Sequence, residues 1–254
     1  ARGDDETGEW MVLRRLEATT WTRAWPSLNA HDRRRLVGAL ARALVALHAT
    51  QPPTAFQNPW LRAALAGSSL LHEAHHPPVE ALPALFERLR ASRCADPGLL
   101  HTLQQRAVEL RDACSPSDPR VLVHADMHWD NLLVRNGELV AILDWEGARV
   151  GRAEQELDTI LRYTAWPWLG AAPDDLALCR TADYGPIPEW LKAAEPALFE
   201  LPGLPERLEL YAIAHDLLQA LHFARSDPPP EGTVWWRLGK LADGTYPLPP
   251  AVFD

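Results

Sequence analysis

The stretch NLLVRNGELVAILDW, residues 131–145, sets Asn136-Gly137 between two apolar runs. Asn and Gly both tolerate the positive φ that a two-residue hairpin turn demands, and this dipeptide between apolar runs is the strongest short-range hairpin signal a sequence carries. A tight hairpin returns the chain on itself, so Asn131 and Asp144, at its two ends, are expected side by side. Just upstream, VLVHADMHW (121–129) opens with a short apolar run, expected as the end of a strand, and then places His124, Asp126 and His128 at alternate positions. Asp126 lies in the loop before the first hairpin strand and is expected to face the same cavity. Two carboxylates and one amide then surround a single point.

The rest of the chain reads mainly as helix. WMVLRRL (10–16) is expected as a short strand. Asn29 is placed to cap a helix with Asp32 in its first turn, Leu36, Leu40, Leu44 and Leu47 on one face, and His48 at its end, where a histidine suits the helix dipole. Pro52-Pro53 closes it. Helical patterns follow at about 58–73, 79–92 and 98–113, and SPSDP (115–119) is the cleanest linker. Helices are expected again at 153–165, 187–198 and 204–225, with a loop rich in Pro and Trp over 166–188. The proline-rich tail from Asp227 is expected to pack Trp235, Trp236 and Phe253 onto the body.

Bulk properties narrow the function classes. The 254 residues are 47% hydrophobic and 23% charged, which suits a globular chain with a sizeable core. A net charge of −9 with no basic block argues against nucleic acid as a partner. No run approaches the roughly 18 apolar residues of a membrane span. Cys94, Cys114 and Cys179 are odd in number and far apart, so neither a zinc spacing nor a disulfide framework is expected, and a reducing cytoplasm is. The polar opening ARGDDETGEW carries no signal peptide and no initiator Met, so the chain is expected to begin partway through a longer protein.

Two chemistries compete for the cluster. Alternate positions on a strand share a face, so His124, Asp126 and His128 suit a zinc-dependent hydrolase. That reading asks for further His or Cys ligands at loop positions, whereas His215 and His222 fall on a helical pattern, and it leaves Asn131 and Asp144 without a role. Phosphoryl transfer uses every part. One carboxylate accepts or orients the proton of an attacking hydroxyl, while a second carboxylate and an amide oxygen suit Mg²⁺, a hard cation that prefers oxygen. The protein kinase pattern H-R-D-x-x-x-x-N followed by D-F-G has this logic. Here the order is H-A-D-M-H-W-D-N, then D-W-E.

The segment resembles the aminoglycoside phosphotransferase and choline kinase-like family, whose signature runs close to H-G-D-x-H-x-x-N followed by D-W or D-F. The resemblance implies the catalytic base at Asp126 and magnesium ligands at Asn131 and Asp144. It also implies structural support from His124, His128 and, in EQELDTI, Asp158 as a brace of the catalytic loop. MVLRRLEATT resembles the strand and hinge joining two lobes, where the backbone near Arg14, Arg15 and Leu16 would meet the adenine of ATP, with GTP as the alternative nucleotide. The implied fold is α+β and predominantly helical, the C-terminal lobe of a protein kinase-like phosphotransferase with a small catalytic β-hairpin. Residues 1–18 would end the N-lobe and form the hinge, 19–118 a helical subdomain, 119–165 the catalytic loop, hairpin and metal segment, and 166–254 a C-terminal helical subdomain.

Departures from the pattern are specific. Ala125 stands for the usual glycine, which costs little if its φ is negative. Trp129-Asp130 stands for the commoner Pro-Gly. No phosphate-covering loop or lysine-bearing strand precedes the hinge, so the N-terminal lobe is expected to be missing and the isolated chain to be inactive and to bind ATP poorly. The implied reaction is transfer of the ATP γ-phosphate to a hydroxyl of a small molecule: an aminoglycoside or other antibiotic, as in antibiotic resistance, or a sugar or amino-alcohol metabolite. Glu146, Trp166, Trp168, Glu189 and Asp216 are the weak candidates for binding it, with Glu154 and Glu156 as further acids; Trp145 is expected in the core. The alternative is a kinase-fold binding module without catalysis, and below it the metal-dependent hydrolase.

Overall fold

The computed structural model describes residues 2–5, 8–11, 15–51 and 77–253. Strands β1 (Arg2–Asp5) and β2 (Gly8–Met11) form an antiparallel hairpin in which Arg2 pairs with Met11 and Asp5 with Gly8. Of the strand expected over 10–16, only Trp10 and Met11 are in β2; residues 12–14 lie outside the described residues, and 15–18 run without regular structure. The expected helix at 58–73 also lies outside them.

Thr20 ends β3 (Thr19–Thr20) and caps the short α1 (Trp21–Ala24). Helix α2 (Ala30–Ala49) starts where Asn29 Oδ1 accepts the Asp32 amide at 3.0 Å, the N-cap arrangement that satisfies one of the helix's unpaired donors. Leu36, Leu40, Leu44 and Leu47 are buried on its inner face. His48, near its end, does not serve the dipole as a cation. Burial pushes its pKa down to about 4, so the ring is neutral.

Helices α3 (Leu82–Ser92) and α4 (Pro97–Leu110, capped by Asp96) precede the linker. Two small sheets follow. One joins β3, β5 (Leu132–Arg135) and β6 (Glu138–Ile142); the other pairs β4 (Val121–Val123) with β7 (Arg149–Gly151). The β5–β6 turn has Asn136 at φ 54° and Gly137 at φ 72°, both positive as a type I′ turn requires. Helices α5 (Glu154–Ala165), α6 (Thr181–Tyr184), α7 (Ile187–Ala194), α8 (Leu204–Ala220) and α9 (Val234–Ala242) complete the described elements.

Helix α9 corrects the reading of the tail. Thr233 precedes a turn in which Val234, Trp235, Leu238 and Leu241 recur at helical spacing and are buried, while Phe253 stays 64% exposed. The prolines on either side mask a short amphipathic helix. Two apolar cores result. One lies beneath the β5–β6 hairpin, built from α1, α2, β5, α5 and α7; the other joins α3, α4, α8 and α9. Among the described residues no helix is long and apolar enough to cross a membrane.

Candidate active site

The site is built from two crossings between the two sheets, one in each direction. The chain leaves β4, runs through residues 124–131 and enters β5. It then leaves β6, passes 143–148 and enters β7. Both segments bridge the same pair of sheets, so they lie side by side. Their backbones are tied directly, since the Leu143 amide donates to Asn131 O at 2.8 Å.

His124 clamps the two segments together. Its ring is fully buried, its Nε2 meets Leu143 O at 2.7 Å, and its Nδ1 accepts the Asp126 amide at 3.3 Å. An accepting Nδ1 fixes the tautomer with the proton on Nε2, which then donates to the carbonyl. Burial lowers the pKa of the ring, partly opposed by the Leu143 carbonyl and by the charges of Asp126 and Asp144. With both nitrogens engaged in backbone contacts, His124 has no lone pair for a metal, which removes the basis of the zinc-hydrolase reading.

Asp126 and Asn131 are in contact. Asn131 Nδ2 donates to the Asp126 backbone oxygen at 2.9 Å and lies 3.4 Å from Asp126 Oδ2. His128 Nε2 stands 3.7 Å from the same carboxylate oxygen, and its Nδ1 accepts the Asp130 amide. Asp144 sits at the start of the second crossing with φ 60° and ψ 63°, a left-handed conformation, and its side chain is exposed. Among the described residues no ion pair or hydrogen bond holds its carboxylate. These donors fit a magnesium ion. Nδ2 of Asn131 is spent on the loop backbone, which leaves Oδ1 as the end of the amide a hard cation takes, and Asp144 supplies a carboxylate.

Ala125 corrects an expectation, because its φ is +68°. A left-handed alanine costs on the order of 1–2 kcal/mol, so the replacement of glycine is not free here. The loop is braced at this point by Glu156, whose Oε1 accepts the Ala125 amide at 2.5 Å, with the His124 amide also acting on the carboxylate. Glu156 is fully buried and its Oε2 has no partner among the described residues. Burial pushes its pKa up to about 7, against the pull of these amides and Arg149. Asp158, expected in this role, faces another way: it pairs with Arg162 at 3.0 and 3.2 Å. Two residues along a helix turn the side chain by some 200°, so only one of the two acids can reach the loop. The sequence offered three acids in EQELD and no means of choosing among them, since nearly the whole of α5 is buried.

The departure at 129–130 has a structural use. Trp129 is buried and stacks on Trp21 at 5.2 Å between ring centroids, next to Trp25 and Tyr184, and its Nε1 donates to Tyr163 O at 2.8 Å. This pillar fixes the turn that presents Asn131. Asp130 turns away from the site, accepting the Ala172 amide at 3.0 Å. Trp145 was expected in the core but is 44% exposed, its indole edge-on to His124 and its Nε1 bonded to Ile142 O.

The remaining candidates separate clearly. Asp216 is fully buried and taken by Arg237, with Arg162 at 3.4 Å, so it offers nothing to a ligand. Trp166 is buried under the Arg237 guanidinium, against Tyr246 and Trp236. Glu189 is exposed in the first turn of α7. Trp168 lines a cavity together with Tyr163, a residue the sequence reading did not single out. Arg15 is exposed and Leu16 half-buried ahead of β3, while Arg14 and the side chain of Glu146 lie outside the described residues.

A sequence profile of the phosphotransferase enzyme family (APH) matches residues 1–195. The chain belongs to this family. No curated protein matches it. Solved structures of the family share its fold. A thermostable mutant of aminoglycoside phosphotransferase APH(4)-Ia, in apo form, superposes with a TM-score of 0.56 at 19% identity, over 97% of this chain and 75% of that one. The same enzyme in ternary complex with AMP-PNP and hygromycin B gives 0.56 at 18% identity, over 97% and 74%. Amicoumacin kinase hAmiN, in complex with AMP-PNP, Ca²⁺ and Ami, gives 0.54 at 16% identity, over 91% and 64%. Family membership and fold make the chain a helix-dominated α+β member of the kinase-like phosphotransferases.

Proposed function

We propose that the full-length protein transfers the γ-phosphate of ATP to a hydroxyl of a small molecule, and that Asp126 orients or deprotonates that hydroxyl. The observation that carries this reading is the pair of crossings that set Asp126 and Asn131 in contact, with Asp144 next along the bonded backbone and His124 clamping both. Asn131 and Asp144 would hold magnesium, which when bound supplies positive charge against the phosphates. Asn131 also holds the Asp126 backbone, and Glu156 fixes the loop from beneath. The residues near Arg14 to Leu16 would meet the nucleotide base. The structural relatives include complexes with AMP-PNP and hygromycin B, which supports a nucleotide and a hydroxylated acceptor here too. An antibiotic, a sugar or an amino alcohol is the acceptor class, and the cytoplasm, where ATP and magnesium are abundant, is the site of action.

The test is transfer of radiolabelled γ-phosphate by the full-length protein to a panel of hydroxylated acceptors. Asp126→Asn is expected to cut turnover by about 10²–10⁴-fold while leaving the fold intact. Turnover equal to that of the unsubstituted protein would remove Asp126 from its role.

A further inference from the structure

Beside the catalytic loop opens a cavity of about 440 Å³, within the range of small-molecule sites. It is joined to the loop by close packing. Tyr163 lines it and has its ring 5.5 Å from that of His128, which in turn reaches Asp126. The turn carrying Trp168 is seated on His128: a Cβ at Gly170 would lie 3.0 Å from that ring. On the far side Trp168 meets Gly232, where a Cβ would come within 2.9 Å of both Trp166 and Trp168. Gly232 has φ +75°, so glycine serves there for its conformation and for its lack of bulk.

The walls combine aromatic faces with the polar groups of His215, Gln219, Ser226 and Thr233, and few of them carry charge. Tyr163, Trp168, Phe223 and Trp235 line the space, and Trp168 and Phe223 are 37% and 57% exposed at its rim. Its charged lining residues are Glu231 and Arg237. Arg237 is spent: it makes two bonds of 3.0 Å from Nε to Asp216 and donates Nη1 to Gly232 O at 2.6 Å. Glu231 is exposed, and among the described residues no ion pair holds it. A ligand carrying several ammonium groups would need several carboxylates to replace its hydration, and this lining offers one. Flat apolar faces, by contrast, gain from stacking on indole and phenyl rings.

We infer that this cavity is the acceptor site, and that it selects a hydroxylated molecule with an aromatic or flat apolar face and at most one ammonium group, which Glu231 receives while Trp168 stacks on the face. This rests on the phosphotransferase reading and narrows its acceptor from antibiotics, sugars and amino alcohols at large to a nearly neutral amphipath. Trp168 and Glu231 are its specificity determinants.

The experiment is calorimetric titration of the full chain with four probes: p-nitrophenyl glucosaminide, p-nitrophenyl glucoside, methyl glucosaminide and gentamicin. The aryl glucosaminide is expected to bind about ten-fold more tightly than the methyl one. Trp168→Ala should erase that advantage. Glu231→Gln should lower the ratio of aryl glucosaminide to aryl glucoside affinity about five-fold. Gentamicin binding more tightly than either aryl probe, or an aryl advantage that survives Trp168→Ala, would overturn the inference. Because binding is read without ATP, bound probes that never receive phosphate would count against the phosphotransferase reading alone, and the preference of the cavity would stand.

Discussion

In the carboxy-terminal helices Asp216 is fully buried and meets Arg237 through bonds of 2.6–3.0 Å, with Arg162 beside it and Asp158 on the far side of Arg162. Under the loop that carries Asp126, Glu156 is just as buried, yet one of its oxygens has no partner among the described residues, and its pKa is pushed up to about 7. The first region pairs every carboxylate with a guanidinium, although Arg162 Nε is itself buried without a partner among the described residues. The second leaves a carboxylate oxygen unfinished, and adds two left-handed residues, Ala125 and Asp144, within one small volume. Strain and uncompensated charge of this kind persist where a surrounding scaffold imposes them and a function uses them. The comparison teaches which part is scaffold and which part is site.

The largest effect should come from opening the closed network. Arg237→Met leaves the Asp216 carboxylate buried with only the longer Arg162 contact, and should cost about 3–5 kcal/mol of stability in chemical denaturation. A loss under about 1 kcal/mol would mean that the network is not what holds these helices.

Next is the pH response of the site. Glu156 binds its proton below about pH 7 when folded but only below its ordinary value of 4.5 when unfolded. Between these values the native state holds the extra proton, so the contribution of Glu156 falls as pH rises from 4.5 to 7, by up to roughly 3 kcal/mol, and is flat above. His48 has the opposite sign. Its folded pKa is about 4 against 6.5 unfolded, so its contribution is lost as pH falls through that window. The two nearly cancel in the unsubstituted protein. The readout is therefore the stability difference between it and Glu156→Gln, expected to decline as pH rises from 4.5 to 7. A constant difference would show that Glu156 ionises normally.

The smallest effect is at Ala125. Replacing it with glycine relieves a left-handed alanine, offset by the greater backbone freedom of glycine when unfolded, for a net gain of about 0.5–1 kcal/mol. A loss of stability would place the value of the Ala125 methyl in packing instead.

The same contrast explains what could be read from the sequence. The hairpin was legible because its turn chemistry is local: Asn136-Gly137 and the two apolar runs fall within fifteen residues, and both φ values are positive as the dipeptide demands. The contact of Asp126 with Asn131 spans five positions and was equally accessible. Asp216 pairs with Arg237 across 21 residues and with Arg162 across 54, and nothing in either neighbourhood marks the partner. Asp216 therefore resembled a ligand contact from sequence while serving as a buried counter-ion. Glu156 and Asp158 were confused because the apolar stripe of Leu157, Ile160 and Leu161 marks only the face toward the core, while both acids lie off it on a polar face that is buried as well. Helix α9 was hidden by prolines that bound it without entering it.

The central claim is that the hairpin carries Asn131 and Asp144 to one divalent-cation site beside Asp126. It is tested most directly by titrating Mn²⁺ in the presence of AMP-PNP and following the free ion by electron paramagnetic resonance. Asp144→Asn and Asn131→Ala should each weaken Mn²⁺ binding at least about ten-fold, whereas Asp130→Asn, whose side chain faces Ala172, should not. Equal Mn²⁺ affinity in the unsubstituted protein and in Asp144→Asn would contradict the account.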